Sequence, residues 1–120
     1  MPAIQDTVLV VEDEEEARTC LMQILELEGF RVLGFSNGAE TLEYLGHSAQ
    51  PCLIVMDIRM PVMDGSQLRS ALLRDPRLAK IPVIVVTALE PSAAAGLAAL
   101  RVFRKPVDID ALVHVVRQNC

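Results

Sequence analysis

Side chains suited to phosphoryl transfer stand at the ends of several short apolar runs. Five consecutive acids, residues 12–16, follow the first run, and Asp57 follows another. Thr87 and Lys105 stand at the ends of two later runs. A carboxylate beside a bound Mg²⁺ can act as a nucleophile toward phosphorus, while an ammonium and a hydroxyl stabilise the phosphoryl oxygens. The pattern therefore indicates a metal-assisted phosphoryl acceptor, with Asp57 as the candidate nucleophile.

The elements that would position these side chains follow from an alternation of apolar runs with amphipathic stretches. This alternation predicts five parallel strands, each followed by a helix, with helices on both faces of the sheet. Residues 92–100 contain helix-forming alanines but little apolar asymmetry, so we predict a shortened fourth helix there. Ligands bind such sheets at the carboxyl ends of the strands. The predicted strands are 7–11, 31–35, 53–56, 83–86 and 102–103.

A magnesium ion is the cofactor that this edge of the sheet favours. Glu12, Asp13 and Asp57 would converge there, and unit charges about 4 Å apart repel by roughly 4 kcal/mol at an effective dielectric near 20. Lys105 offers one positive charge, which leaves an excess of negative charge. Mg²⁺ prefers oxygen ligands and takes one or two carboxylates with waters and a phosphate. Asp13 and Glu16 also fit a helix-capping box, which stays open as an alternative explanation for these acids.

Composition excludes several classes of protein. The 120 residues, 52% of them hydrophobic, predict a single domain, 1–120, with a packed core. The net charge of −5 disfavours nucleic-acid binding. No apolar run is long enough to span a bilayer and residues 1–6 do not resemble a signal peptide, so we expect a cytoplasmic protein. Three cysteines indicate neither a disulfide framework nor a zinc site, and Cys20 and Cys52 are interpreted as small apolar fillers.

Four stretches of the chain together resemble the receiver domain of bacterial two-component response regulators. They are VLVVEDE at 8–14, MDIRMPVMDG at 56–65, IPVIVVTA at 81–88 and FRKP at 103–106. The similarity covers nearly the whole chain, and its second stretch is highly specific. It implies a flavodoxin-like fold with strand order 2-1-3-4-5. It also implies that Asp57 is the phospho-acceptor, that Asp13 and Asp57 bind Mg²⁺ directly, that Glu12 does so through water, and that the main-chain carbonyl of Arg59 is a further ligand.

The same resemblance assigns phosphoryl binding to Thr87 and Lys105 and predicts a cis peptide between Lys105 and Pro106. The donor would be a phosphohistidine on a histidine kinase or a phosphotransfer protein. An output domain or a partner protein would receive the signal, and a homodimer is a further possible assembly. The chain departs from the family at Val102, where a Tyr or Phe is usual, and Phe103 should face the other side of the strand. We therefore expect phosphorylation with an unusual structural response.

The leading interpretation is a phosphorylatable signalling switch that has no separate substrate and so is not a metabolic enzyme. A flavin carrier would need hydroxyls and amides after the first strand, where the acids would repel its phosphate. An aspartyl-phosphate hydrolase would place its nucleophile after the first strand and would need a cap. A degenerate receiver that only binds a partner is the remaining alternative. The intact set of Glu12, Asp13, Asp57, Thr87 and Lys105 argues against it.

Overall fold

A five-stranded parallel sheet with helices on both faces forms the part of the chain described by this computed structural model, residues 7–120. Its strand order, 2-1-3-4-5 with the strands numbered along the chain, confirms the flavodoxin-like prediction. The first six residues, on which the expectation about signal peptides rests, lie outside the described range. Within that range no helix has the length and apolarity to cross a membrane. The strands are β1 Thr7–Val11, β2 Arg31–Phe35, β3 Leu53–Met56, β4 Val83–Thr87 and β5 Arg101–Arg104; the helices are α1 Glu15–Leu27, α2 Gly38–Leu45, α3 Gly65–Arg74 and α4 Ile109–Asn119.

Alternate side chains of the central strands enter two separate hydrophobic cores, one on each face of the sheet. Leu9 and Ile54 pack with α2 and α3 on one face, whereas Val10 and Val55 pack with α1 and α4 on the other. Because both faces are covered, β1, β3 and β4 are almost fully apolar, as the uninterrupted hydrophobic runs predict. The burial of these side chains fixes how far each strand is shifted along its own axis in the sheet. It therefore also fixes the residue at which each strand ends.

Side chains cap the starts of α2, α3 and α4 but not that of α1. The Asn37 side chain accepts a hydrogen bond at the start of α2, and Asp64 forms a capping box with Gln67 at the start of α3. The alternative interpretation of Asp13 and Glu16 as a capping box is wrong, because α1 begins after Glu14 with no side-chain cap. The acids before α1 are therefore not used for capping.

The connection between β4 and β5 confirms the prediction of a shortened helix in this part of the chain. Only one turn of 3-10 helix forms, Pro91–Ala94, and residues 95–100 continue as an irregular segment. Arg69 of α3 is only 5% exposed and holds this segment through two hydrogen bonds. Its Nε donates to the carbonyl of Leu97 at 2.7 Å, and its Nη2 donates to the carbonyl of Ala98 at 3.1 Å.

The side chains of β5 lie as the alternation predicts. Val102 faces the core that contains α2 and α3, while the buried Phe103 faces the core that contains α1 and α4. Phe103 therefore does not occupy the side of β5 on which the family usually has an aromatic residue.

The interpretation of the cysteines is wrong on two points. Cys52, just before β3, is bonded to Cys120 after α4, with 5.3 Å between their Cα atoms. Cys20 is exposed on α1 rather than packed as a filler. Spacing could not reveal the bond because its partners are 68 residues apart in sequence. They meet because α4 runs back across the sheet and ends where β3 begins.

Candidate functional site

Three side chains from three different strand ends meet directly at the carboxyl edge of the sheet. Lys105 Nζ lies 3.0 Å from Glu12 Oε1 and 3.1 Å from Asp57 Oδ2. Glu12 follows β1, Asp57 follows β3 and Lys105 follows β5. β1 and β3 are neighbours in the sheet and flank the point where the strand order reverses. The two buried carboxylates therefore share one ammonium group, as the charge argument requires.

Asp13 completes an acidic cluster with Glu12 and Asp57. One carboxylate oxygen from each lies within 4.8 Å of the others, which suits oxygen ligands around a single divalent cation. Asp13 is exposed, whereas Glu12 and Asp57 are only 4% and 9% exposed. The cluster thus has two anchored acids on the sheet side and one on the solvent side.

Burial and ion pairing act in opposite directions on the charged groups of the site. Burial raises the pKa of Glu12, and the hydrogen bonds from the N–H of Glu14 and from Lys105 only partly offset it. For Lys105, burial alone would lower the pKa, but the hydrogen bonds and charges of Glu12 and Asp57 outweigh it and raise the pKa. Lys105 therefore stays an ammonium at neutral pH and holds the two carboxylates together.

The Asp57 carboxylate is held in a fixed orientation. Its Oδ1 accepts a hydrogen bond from the N–H of Ile58 at 2.7 Å, while its Oδ2 accepts one from Lys105. The backbone N–H of Asp57 donates to the carbonyl of Val11 at 3.1 Å, which continues the pairing of β1 with β3 past the last strand residue. The sheet itself therefore positions the carboxylate that the sequence singles out as nucleophile.

Thr87 and Arg59 lie near the site without joining the cluster of direct contacts. Thr87 is fully buried at the end of β4, and its Oγ1 accepts a hydrogen bond from the N–H of Leu89 at 3.0 Å. Its carbonyl accepts one from the N–H of Lys105 at 2.8 Å, which links the ends of β4 and β5. Arg59 lines an open cleft of about 400 Å³ that also includes Asp13 and Asp64. The predicted peptide bond between Lys105 and Pro106 is cis.

Gly65 is a site residue whose role sequence reasoning missed. A methyl group on its Cα would lie 2.4 Å from the carbonyl oxygen of Asp57 and 2.9 Å from the Cα of Ile58. The N–H of Gly65 donates to the carbonyl of Ile58 at 2.8 Å. The start of α3 thus packs directly against the backbone that carries the acidic cluster. The sequence Asp64-Gly65 indicated a helix start, but nothing in it showed this close approach.

Replacing Gly65 by alanine is expected to displace Asp57 and to lower stability by about 1–3 kcal/mol, the usual cost of overpacking. Both the free energy of unfolding in denaturant and the rate of phosphorylation by a small phosphodonor should fall. Gly46→Ala is the matched control, because a methyl group there would have its nearest neighbour at 3.5 Å, an ordinary contact. Equal stability and equal phosphorylation of the two variants would show that the packing of Gly65 does not position Asp57.

A family model places this chain in a known class. Residues 8–117 match the model of the response regulator receiver domain, which is nearly the whole chain. The chain therefore belongs to the response regulator receiver domain family.

Curated relatives agree with this assignment. The chain is 37% identical over 82 residues to the polar-differentiation response regulator DivK of Brucella anthropi, an alignment that covers 68% of this chain and 66% of DivK. It is 40% identical over 116 residues to the DNA-binding transcriptional regulator NtrC of Escherichia coli, covering 92% of this chain but 24% of NtrC. The chain thus matches about two-thirds of the first relative and about a quarter of the second.

Solved structures have the same fold. The signal receiver domain of a histidine kinase from Syntrophus aciditrophicus superposes with a TM-score of 0.87 at 32% identity, covering 94% of this chain and 88% of that one. The receiver domain of the sensor histidine kinase PA1611 from Pseudomonas aeruginosa superposes with a TM-score of 0.85, covering 96% and 97% of the two chains. The latter is 22% identical and has a magnesium ion in its active-site cleft. At that identity the comparison speaks for the fold alone.

Proposed function

We propose that this chain is a phosphorylatable receiver module in which Asp57 accepts a phosphoryl group in a Mg²⁺-dependent reaction. The observation that carries the proposal is the pairing of Lys105 Nζ with both Glu12 and Asp57, at 3.0 and 3.1 Å, beside the third acid, Asp13. A structural ion pair would need one carboxylate for one ammonium. Three carboxylates around one ammonium leave a net negative charge, which a divalent cation can neutralise.

The donor set fits magnesium in number and in chemistry. Asp13 and Asp57 would bind the ion directly, Glu12 would do so through water, and the main-chain carbonyl of Arg59 would be a further ligand. All these donors are oxygens, and the described residues contribute no imidazole or thiol to the cluster. When bound, Mg²⁺ would neutralise charge on the phosphoryl oxygens. The cleft beside Asp13 and Arg59 would admit the ion and the donor.

The protein's own groups would then carry the transfer. A carboxylate oxygen of Asp57 attacks phosphorus, and the bond from phosphorus to the donor breaks. Lys105, which already contacts Asp57, would pair with a phosphoryl oxygen and stabilise the charge that develops on it. The Thr87 hydroxyl accepts the hydrogen bond from Leu89 and so keeps its own proton free to donate to a second phosphoryl oxygen.

The partners follow from this chemistry. A phosphohistidine on a histidine kinase or on a phosphotransfer protein would be the donor, and the change would be passed to an output domain, a partner protein or a second copy of the chain. The module would take part in its own phosphorylation without turning over a separate substrate, so we assign no metabolic activity to it. We propose residues 1–120 as one receiver domain that acts in the cytoplasm and does not itself bind nucleic acid.

Replacing Asp13 by asparagine is expected to weaken Mg²⁺ binding at least tenfold, because one of the acids near the ion loses its charge. The Mg²⁺ concentration that gives half-maximal phosphorylation by acetyl phosphate should rise by the same factor, as measured by intact mass. Glu16→Gln is the matched control, since Glu16 belongs to the same acidic run but lies outside the cluster.

Two results would contradict the proposal. One is a gain of a phosphoryl group by the wild type in excess EDTA, which would remove the need for the metal. The other is an equal shift in Mg²⁺ dependence for Asp13→Asn and Glu16→Gln. That result would mean that the Mg²⁺ affinity depends on the general surface charge and not on the acidic cluster.

A further inference from the structure

The disulfide between Cys52 and Cys120 joins two sulfur atoms in different surroundings. Cys120 is exposed after the end of α4, whereas Cys52 is half-buried before β3 and packs against the core that contains α1 and α4. An attacking thiolate must approach a disulfide sulfur directly, so access is one of the factors that determine which sulfur reacts. Exposed disulfides are also the labile ones in proteins. The two cysteines therefore differ in exposure, and a small thiol has the more open approach on the side of Cys120.

We propose that the Cys52–Cys120 bond is a site of reversible thiol–disulfide exchange with small thiols, and that the attack occurs at the sulfur of Cys120. In the first step a thiolate bonds to Cys120 Sγ, the bond between the two cysteines breaks, and Cys52 leaves as a thiolate that takes up a proton. In the second step another small thiolate attacks the small-molecule sulfur of the mixed disulfide. Cys120 is released, and the small disulfide is the oxidised product.

The structure accommodates the reduced state as well as the oxidised one. Cys52 Sγ lies 3.3 Å from the main-chain carbonyl oxygen of Thr7, which would accept a hydrogen bond from the thiol after reduction. The end of α4 has a second attachment, because Arg117 pairs with Glu28 at 2.5 Å and lies over the ring of Phe30. Reduction should therefore loosen the last turn of α4 without releasing the whole helix.

The exchange would act far from the phosphorylation site. β3 begins directly after Cys52 and ends directly before Asp57, so the disulfide and the acceptor lie at opposite ends of one buried strand. The bond closes a loop over a sequence separation of 68 residues, and losing a closure of this length should lower the midpoint of thermal unfolding by about 10 °C. Phosphorylation at Asp57 should continue at the same rate in both redox states, provided that the temperature is well below both midpoints.

Intact mass in glutathione buffers tests the proposal in a Cys20→Ser background, which leaves Cys52 and Cys120 as the chain's only cysteines. As reduced glutathione increases, the protein should change from no maleimide labels to two. An intermediate with one glutathione and one label should appear, and peptide mapping should place the glutathione on Cys120. Its location on Cys52 would overturn the proposed direction of attack. A failure of the native protein to react, or two free thiols in oxidised glutathione alone, would overturn the exchange itself.

Thermal unfolding supplies an independent readout. The Cys20→Ser protein should lose about 10 °C on reduction. With Cys120→Ser added, it should start at the lower midpoint and not respond to reductant. Its rate of phosphorylation should be unchanged, since Cys120 is no part of the acidic site. A midpoint that does not depend on reductant in the Cys20→Ser protein would contradict the proposed effect on α4.

Discussion

Replacing Asp57 by asparagine should abolish phosphoryl uptake while leaving the fold intact. The amide cannot attack phosphorus as a carboxylate does, so no acyl phosphate can form at this position. It also cannot satisfy both present neighbours, because Ile58 N–H and Lys105 Nζ are donors and an amide has only one acceptor oxygen. Intact mass after incubation with Mg²⁺ and acetyl phosphate should show one added phosphoryl group on the wild type and none on the variant.

The matched control for this experiment is Asp110→Asn, which removes an exposed acid from the first turn of α4. It should gain a phosphoryl group like the wild type. Uptake by Asp57→Asn at the wild-type level would assign the acceptor to another residue. Circular dichroism of both variants would separate such a result from a loss of folding.

Replacing Lys105 by methionine should have two effects of opposite sign. The phosphorylation rate should fall by a factor of about 10² to 10³, the usual cost of removing one group that stabilises developing charge. The affinity for Mg²⁺ should rise, because the ammonium that repels the cation and occupies oxygens of Glu12 and Asp57 is gone. Kinetics by intact mass and a calorimetric Mg²⁺ titration measure the two effects separately.

Lys80 is the chain's other lysine, and it is exposed, so Lys80→Met controls for the loss of a positive charge elsewhere. This variant should change neither quantity. A fall in both phosphorylation and Mg²⁺ affinity for Lys105→Met would mean that Lys105 only maintains the structure. The opposing signs are therefore the discriminating result.

Sequence could predict the site because it depends on where buried strands end. The apolar runs before Glu12 and Asp57 are uninterrupted, and their burial on both faces fixes the residue at which each strand leaves the sheet. Lys105 could be placed because it comes shortly after the last apolar run, residues 102–103, although that run is the shortest of those predicted. The shortened helix between β4 and β5 was predictable because Gly96 and the lack of apolar asymmetry are local properties of residues 92–100.

Features that depend on contacts between distant elements could not be predicted. The approach of Gly65 to Asp57 requires the position of α3 against the end of β3. The hydrogen bonds of Arg69 to residues 97 and 98 require a buried guanidinium that reaches main-chain carbonyls of a distant segment. The sequence does not indicate this, because arginine in a helix ordinarily marks an exposed face. The bond between Cys52 and Cys120 depends on the direction of α4 across the sheet, which spacing does not encode.

Chemical mapping of the phosphoryl group tests the central claim most directly. An acyl phosphate on an aspartate is reduced by borohydride to homoserine, so peptide sequencing by mass spectrometry locates the acceptor without any substitution in the protein. After incubation of the wild type with Mg²⁺ and acetyl phosphate, we predict homoserine at position 57 and none in the EDTA control. Homoserine at another aspartate, or a phosphorylated protein in which aspartate remains at position 57, would contradict the account.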